Sequence, residues 1–232
     1  MKHIIILGDG MADEPLAEHA GKTPLQMAGK PHIDWLAKNG QSGLLKTVPP
    51  TMHPGSEIAN MAVLGYDVEH VFEGRGVLEA ASMGVQLQPG DLAMRCNLIS
   101  IDNGIIKNHS AGHISTDEAS ALIAFLNEKL GNEQITFYSG VSYRHLLELK
   151  GKKKDIQCKP PHDVPGAPFN DVLINAKSNE AAITARQLNE LIMKSQELLE
   201  DHPVNVKRRN EGKDPANSIW PWSPGFKPKM HT

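Results

Sequence analysis

Cysteine is almost missing from this sequence: Cys96 and Cys158 stand far apart and match no metal-binding or redox spacing. That sets aside a disulfide-stapled scaffold and makes reduced thiols in a cytoplasmic setting the default expectation. Long apolar runs are missing too. No stretch approaches the ~20 residues needed to span a bilayer, and the short apolar run at the N-terminus has no signal-peptide pattern, so no membrane partner is expected. Neither sign of charge dominates, with 24 Lys and Arg against 27 Asp and Glu, which gives no indication of a nucleic-acid partner. Internal repeats and low-complexity tracts are absent. What remains is a chain of 232 residues with 40% apolar content, enough for one large domain or two small ones. Its 11 histidines are many for this length, and several stand beside Gly, Pro, Arg or Asp, a setting that favours polar-site chemistry.

The first apolar run ends on an acid. In Lys-His-Ile-Ile-Ile-Leu-Gly-Asp-Gly, residues 2–10, the stretch His3–Leu7 has the composition of a buried parallel strand. Two glycines flank Asp9, letting the backbone turn tightly and leaving the carboxylate clear of neighbouring side chains. Ligands of open α/β sheets bind just beyond the carboxyl ends of strands, and a hard cation is the natural partner of an acid placed there. An Asx-turn or helix N-cap aspartate is the alternative reading of the same residues.

Thr23-Pro24 predicts an N-cap and first helical residue, the main helix spans Pro31 to Lys38, and Asn39-Gly40 stops it. Gly43–Val48 is a second strand candidate, and Asp67–Arg75 reads as a connection leaving the first unit. From Asp91 the texture changes. Leu92–Ile101 and Ile105–His109 flank Asp102-Asn103-Gly104, which predicts a hairpin with a type I′ turn. Ser115-Thr116-Asp117-Glu118 is a capping box for a helix with Ala121, Leu122, Phe125 and Leu126 on one face, ending at Gly131. Ile135–Tyr138 and His145–Leu149 are further strands. Ser178 caps a longer helix carrying Ile183, Leu188, Leu191, Ile192 and Leu199, stopped at His202-Pro203. The middle is therefore an antiparallel or mixed α+β unit, unlike the parallel-sheet opening. Lys152-Lys153-Lys154 reads as a solvated turn, and Ile219–Lys229 as a Pro- and Trp-rich ending. One strand, one helix and one further strand cannot make a doubly wound sheet covered on both faces, so either the remaining strands come from another chain or, the favoured expectation, the sequence is the front part of a longer protein.

The second chemical feature is His53-Pro54-Gly55-Ser56-Glu57-Ile58-Ala59-Asn60-Met61. Ser56 follows a Pro-Gly turn and begins an apolar helical stretch through Leu64, so its oxygen lies at the positive end of a helix dipole, a setting that suits a phosphoryl group. An N-cap serine with Glu57 as first-turn acid is the alternative. A neutral serine attacks phosphorus poorly and needs a base or a metal. No Gly-x-Ser-x-Gly elbow surrounds Ser56 and no His/Asp pair can be assigned to it, so activation through a cation on Asp9 fits better.

Gly-Asp-Gly at 8–10, Gly-Ser-Glu-Ile-Ala-Asn at 55–60 and Leu-Gly-Tyr-Asp at 64–67 closely resemble cofactor-independent phosphoglycerate mutase of the archaeal type, within the alkaline phosphatase superfamily. The resemblance continues through Glu73-Gly-Arg-Gly76, Arg95-Cys-Asn-Leu98, His109-Ser-Ala-Gly-His113, Tyr143-Arg-His145, Pro161-His-Asp163 and Asn217-Ser-Ile-Trp220. It implies an α/β fold. Residues 1–75 would be the N-terminal segment of a phosphatase-like core with a mostly parallel sheet. Residues 76–232 would be an inserted α+β substrate-clamping domain and the start of the return to the core. It implies two divalent metals, manganese or magnesium, and no 2,3-bisphosphoglycerate. Ser56 matches the nucleophile and a metal ligand; Asp9 matches the first metal ligand. The small phosphorylated acid, 2- or 3-phosphoglycerate of glycolysis and gluconeogenesis, would be clamped by candidates Arg95, His113, Arg144, His145, His162 and Asp163. Arginine suits the fork geometry of carboxylate and phosphate. His162 and Asp163, beside prolines, are also loop formers.

Members of that family run well beyond this length, and their later half carries the Asp and His ligands that complete both metal sites. After Trp222 only His231 remains here, so the resemblance implies half a metal centre and negligible turnover by residues 1–232 alone. The segments His-Pro-Gly-Ser-Glu and Ile-Trp-Pro-Trp-Ser-Pro-Gly also look like a bacterial branch proposed to act as homoserine kinase, although no Gly-x-x-x-x-Gly-Lys-Ser/Thr nucleotide loop is present. A non-catalytic fragment that binds phosphorylated acids is the reading from a different class.

Overall fold

Proline sets the first two α-helices of this computed structural model, which describes residues 2–228. α1 (Pro24–Met27) and α2 (Pro31–Asn39) both begin on a proline, whose missing N–H costs nothing in a first helical turn. Thr23 and Gln26 complete a capping box on α1, and Gly40 closes α2 by donating its N–H to the Leu36 carbonyl. α3 (Ser56–Val63) and α4 (Val68–Val71) follow. The chain divides into two units, the first ending at His70 and the second starting at Val71.

The first unit corrects two expectations. His3–Leu7 and Gly43–Val48 form no strand, and their apolar side chains other than the half-buried Val48 face solvent, with Ile4 84% and Ile6 85% exposed. A parallel strand exists only through neighbours on its edges and cover on its faces, and the described residues of this unit supply neither. The parallel sheet therefore does not form here. The connection expected over Asp67–Arg75 contains the short helix α4.

The second unit is an antiparallel sheet flanked by helices. Its elements are α5 (Arg75–Ser82), β1 (Asp91–Asp102), β2 (Ile105–Asn108), α6 (Thr116–Leu130), β3 (Ile135–Val141), β4 (Arg144–Lys150), β5 (Ile156–Gln157), β6 (Asn175–Ala176), α7 (Ala182–Leu199), α8 (Pro203–Asn210) and β7 (Ser218–Gly225). β1 is the hub: β4 pairs with it along Asp91–Asn97, β7 along Ala93–Ile99 and β2 along Ser100–Asp102, while β3 pairs β4. β5 and β6 form a separate two-stranded ribbon. The hairpin turn is as the sequence predicts, with Asn103 and Gly104 both at positive φ. So is the Ser115–Glu118 capping box on α6.

Strand alternation gives the sheet two unlike faces. Leu92, Met94, Cys96 and Leu98 of β1, with Leu147 and Leu149 of β4, join α6 and α7 in the main core. On the other face Ala93 and Leu146 pack with Val77 and Ala80 of α5 and with Leu87. Gly76 permits that second contact, because a Cβ there would lie 2.4 Å from the Ala93 carbonyl oxygen.

Within this unit α5, α8 and β7 are elements that sequence reading does not foresee. On α6 the buried face is Ala119, Leu122, Ile123 and Leu126, with Ala121 exposed; on α7 Ile183 is exposed. Ser178 precedes a short 3-10 turn over 179–181 and makes no side-chain cap bond. The Pro- and Trp-rich ending is strand β7, paired to β1 alone, which tolerates Pro221 and Pro224 as an edge strand does. Lys229, the last residue of that ending, and His231 lie outside the described residues.

Candidate active site

In the first unit the geometry centres on Ser56. Gly55, not Ser56, is the N-cap of α3; Ser56 is the first helical residue and makes no capping bond. Its hydroxyl instead donates toward Asp9 Oδ2 at 3.4 Å, across 47 residues of sequence. Both side chains are exposed, and Asp9 sits in a turn with Gly10 at φ 73°. The N-cap reading of Ser56 is thereby excluded, and the two residues expected to act together stand together.

Two hard oxygens at this spacing are the right kind of donors for a divalent cation, since ligands of one Mg²⁺- or Mn²⁺-sized ion lie about 3 Å apart. Among the described residues no group of three or more His, Cys, Asp or Glu side chains converges as a metal site. Asp9 and Ser56 are thus a pair of candidate ligands, short of a full coordination shell.

In the second unit a cationic, aromatic cluster forms on the sheet face that carries α5. Arg95 of β1 lies directly opposite Trp222 of β7, and its guanidinium carbon sits 5.2 Å from the indole centroid. Arg75, at the start of α5, approaches the same ring at 5.3 Å. His162 meets Trp222 edge-on at 5.3 Å, and His109 lies 6.1 Å from His162 and 6.0 Å from Tyr143. The indole N–H of Trp222 donates to Asn97 Oδ1 at 3.1 Å, and the Asn97 amide donates to the His109 carbonyl at 3.2 Å.

Arg95 is the strained member of this set. Its side chain is 11% exposed, its Nε–H has no hydrogen-bond partner, and Glu79 of α5 offers only an ion pair at 3.5 Å. Burial lowers its pKa, Glu79 opposes that, and the like charges of Arg75 and Arg144 reinforce it. His162 is also held below its ordinary value, first by burial, against the pull of Asp163, with Arg75, His109 and Arg95 adding repulsion. Arg95 and His162 thus sit among like charges, with Glu79 beside the one and Asp163 beside the other, and a face that gathers guanidinium and imidazole groups in this way is chemically suited to meeting an anion. A cavity of about 680 Å³ adjoins it, lined by Glu79, Ser82, Met83, Tyr138, Ser139 and Arg144.

Of the six clamp candidates, the structure brings Arg95, Arg144 and His162 to this face, with Asp163 exposed beside His162 at 3.7 Å. His113 is exposed and closes the turn that starts at His109, with φ 53°. His145 goes elsewhere. It pairs with Cys96, whose side chain lies in the main core, and is itself fully buried; its Nδ1 accepts the Gly140 N–H at 3.0 Å. Arg144 and His145 are neighbours in a strand and must point to opposite faces. Arg75, His109, Tyr143 and Trp222 are cluster members without an individual assignment at the sequence level, although each lies in a quoted motif or in the Pro- and Trp-rich ending.

The family model described as 2,3-bisphosphoglycerate-independent phosphoglycerate mutase matches residues 37–205. The chain belongs to that family. A mutase of this family from Methanosarcina barkeri is 48% identical over 231 residues, which cover 99% of this chain and 56% of the relative. A probable mutase from Geobacter sulfurreducens is 44% identical, covering 99% of this chain and 57% of its own length. Among solved structures, the cofactor-independent phosphoglycerate mutase of Thermoplasma acidophilum matches with TM-score 0.61 and 29% identity, over 96% of this chain and 59% of that one. A Pyrococcus horikoshii protein matches with TM-score 0.69 and 28% identity, over 96% and 50%. The chain thus spans little more than half the length of the mutases it matches.

Proposed function

We propose that this chain supplies the nucleophile and the substrate clamp for phosphotransfer that interconverts 2-phosphoglycerate and 3-phosphoglycerate. The observation that carries the reading is the pairing of the Ser56 hydroxyl with Asp9 at the head of α3, where the serine is released from capping. In this reading Ser56 takes the phosphoryl group from one hydroxyl of the acid and returns it to the neighbouring one. The dipole of α3 favours the charge that gathers there. Asp9 and Ser56 would hold a divalent ion, manganese or magnesium, which when bound lowers the pKa of a ligated hydroxyl. Residues from 71 onward belong to the clamp, in which Arg75, Arg95 and Arg144 meet the carboxylate or phosphate of the substrate. Family membership supports a small phosphorylated acid as substrate and independence from 2,3-bisphosphoglycerate. A cytoplasmic setting accords with such a substrate.

With two metal donors in hand, residues 1–232 alone are expected to bind 3-phosphoglycerate without turning it over. A chimaera joining them to the remaining part of the Methanosarcina barkeri relative is expected to interconvert the two phosphoglycerates in the presence of Mn²⁺, followed by phosphorus NMR. Ser56→Ala should abolish product in the chimaera. Persistence of product would remove Ser56 as nucleophile, and robust turnover by the 232-residue chain would overturn the half-centre.

A further inference from the structure

The turn between β2 and α6 is strained and clamped from a distance. Ala111, Gly112 and His113 hold three consecutive left-handed conformations, with φ of 47°, 63° and 53°. Two of them are not glycine, and such residues persist in that region only where the surroundings over-determine them. Part of the determination is local: Asn108 Oδ1 accepts both the N–H and the hydroxyl of Ser110 at 2.9 Å, and the His113 N–H donates to Ser110 Oγ at 3.3 Å.

The remainder comes from α8, almost a hundred residues later. Arg208 is 2% exposed and donates from three nitrogens: Nη2 to the Ala111 carbonyl at 2.6 Å, Nη1 to Glu118 Oε2 at 2.8 Å and Nε to the Asp214 carbonyl at 2.8 Å. Each acceptor belongs to a different segment: the turn, the first turn of α6 and the loop before β7. Glu118 is itself held by the Ser115 cap. A planar guanidinium spreads its donors over three nitrogens in a fixed fork and so reaches three separated acceptors at once, whereas the three donors of an ammonium all diverge from one nitrogen and do not span them.

We propose that Arg208 is a positioning residue of the anion cluster. By holding the Ala111 carbonyl it fixes the left-handed turn and thereby sets His109, at the turn's entrance, against Tyr143 and His162. The proposal rests on the reading that this cluster binds the phosphorylated acid, but its first test does not need a ligand.

The experiment compares the 232-residue chain with Arg208→Lys and Glu118→Gln variants by proton NMR of the histidine and tyrosine rings. Arg208→Lys is expected to lose the nuclear Overhauser contact between His109 and Tyr143 while circular dichroism shows the fold retained. A folded Arg208→Lys protein that keeps the contact overturns the proposal. Glu118→Gln removes the ion pair but leaves the bond to Ala111, so it should keep the contact; loss there means that the turn is held through α6 and also overturns the proposal. This second variant decides the matter if Arg208→Lys fails to fold. Titration with 3-phosphoglycerate then separates the two ideas. Loss of a positioning contact is expected to weaken binding about tenfold in Arg208→Lys. Absence of binding by the wild type would defeat the ligand reading while leaving the ring-contact result to judge Arg208.

Discussion

Burial holds His145 in its neutral form: desolvation pushes its pKa from 6.5 down to about 3 against a smaller opposing backbone contact with Ser142, and its Nδ1 accepts the Gly140 N–H. A group whose pKa is lower in the folded state binds fewer protons there than in the unfolded chain, so stability is complete above about pH 6.5 and is lost as pH falls toward 3. The loss between pH 6.5 and pH 4 is on the order of 3 kcal/mol. His145→Asn keeps a small acceptor and removes the titration, and its urea midpoint should depend less on pH over that range, the remaining slope including His162 and His202, both also lowered by burial. An unchanged slope would show that His145 is not the group that titrates. At this scale the sequence offered both Arg144 and His145 as clamp residues. Their separation follows from the strand alternation of β4, which becomes decisive only when one face is known to be core.

Among the elements, α5 joins the packing of the second unit to its cationic cluster. Its first residue is Arg75, its fifth is Glu79, and between them Gly76 lets the helix lie against β1. Gly76→Val should push α5 away from Ala93, costing roughly 1–3 kcal/mol through overpacking. It should also weaken phosphoglycerate binding, because Arg75 and Glu79 move with the helix. Urea denaturation and an isothermal titration would read the two effects; full binding with α5 displaced would remove Arg75 from the clamp. Elements set by local chemistry were legible in the sequence. The hairpin at 103–104, the capping boxes at Thr23 and Ser115 and the prolines opening α1 and α2 each involve contacts within a few residues. β7 was not legible, since Pro221 and Pro224 argue against a strand and only its place at one edge of β1 makes them tolerable. His202-Pro203 read as a stop; it is both a stop and a start, because the His202 ring accepts the Val204 N–H and caps α8.

For the whole molecule, the contrast between the two units is one of partners. Residues 3–7 and 43–48 have strand composition and no ladder, and Ile4, Ile5, Ile6, Leu44 and Leu45 stand in solvent. Unpaired apolar segments of this kind associate and are cut easily. Limited proteolysis of the 232-residue chain should cleave first within these segments and leave the sheet of the second unit intact, as mass spectrometry of the fragments would show. Replacing Ile4 and Ile6 by Glu should reduce self-association in analytical ultracentrifugation. Protection of both segments in the wild-type chain would mean that they are covered after all.

The sequence by itself determined the family, the expectation that Asp9 and Ser56 lie together, the caps of α1 and α6 and both ends of α2, because motifs, caps and turns act through covalent neighbours or through chemistry that needs particular residue types. Only the tertiary structure decided that Ser56 does not cap α3, that His145 serves the core while Arg144 serves the cluster, and that Trp222 joins Arg75 and Arg95. Those outcomes depend on which face of a strand is covered and which distant strand lies beside it, and burial and register are properties of the assembled sheet.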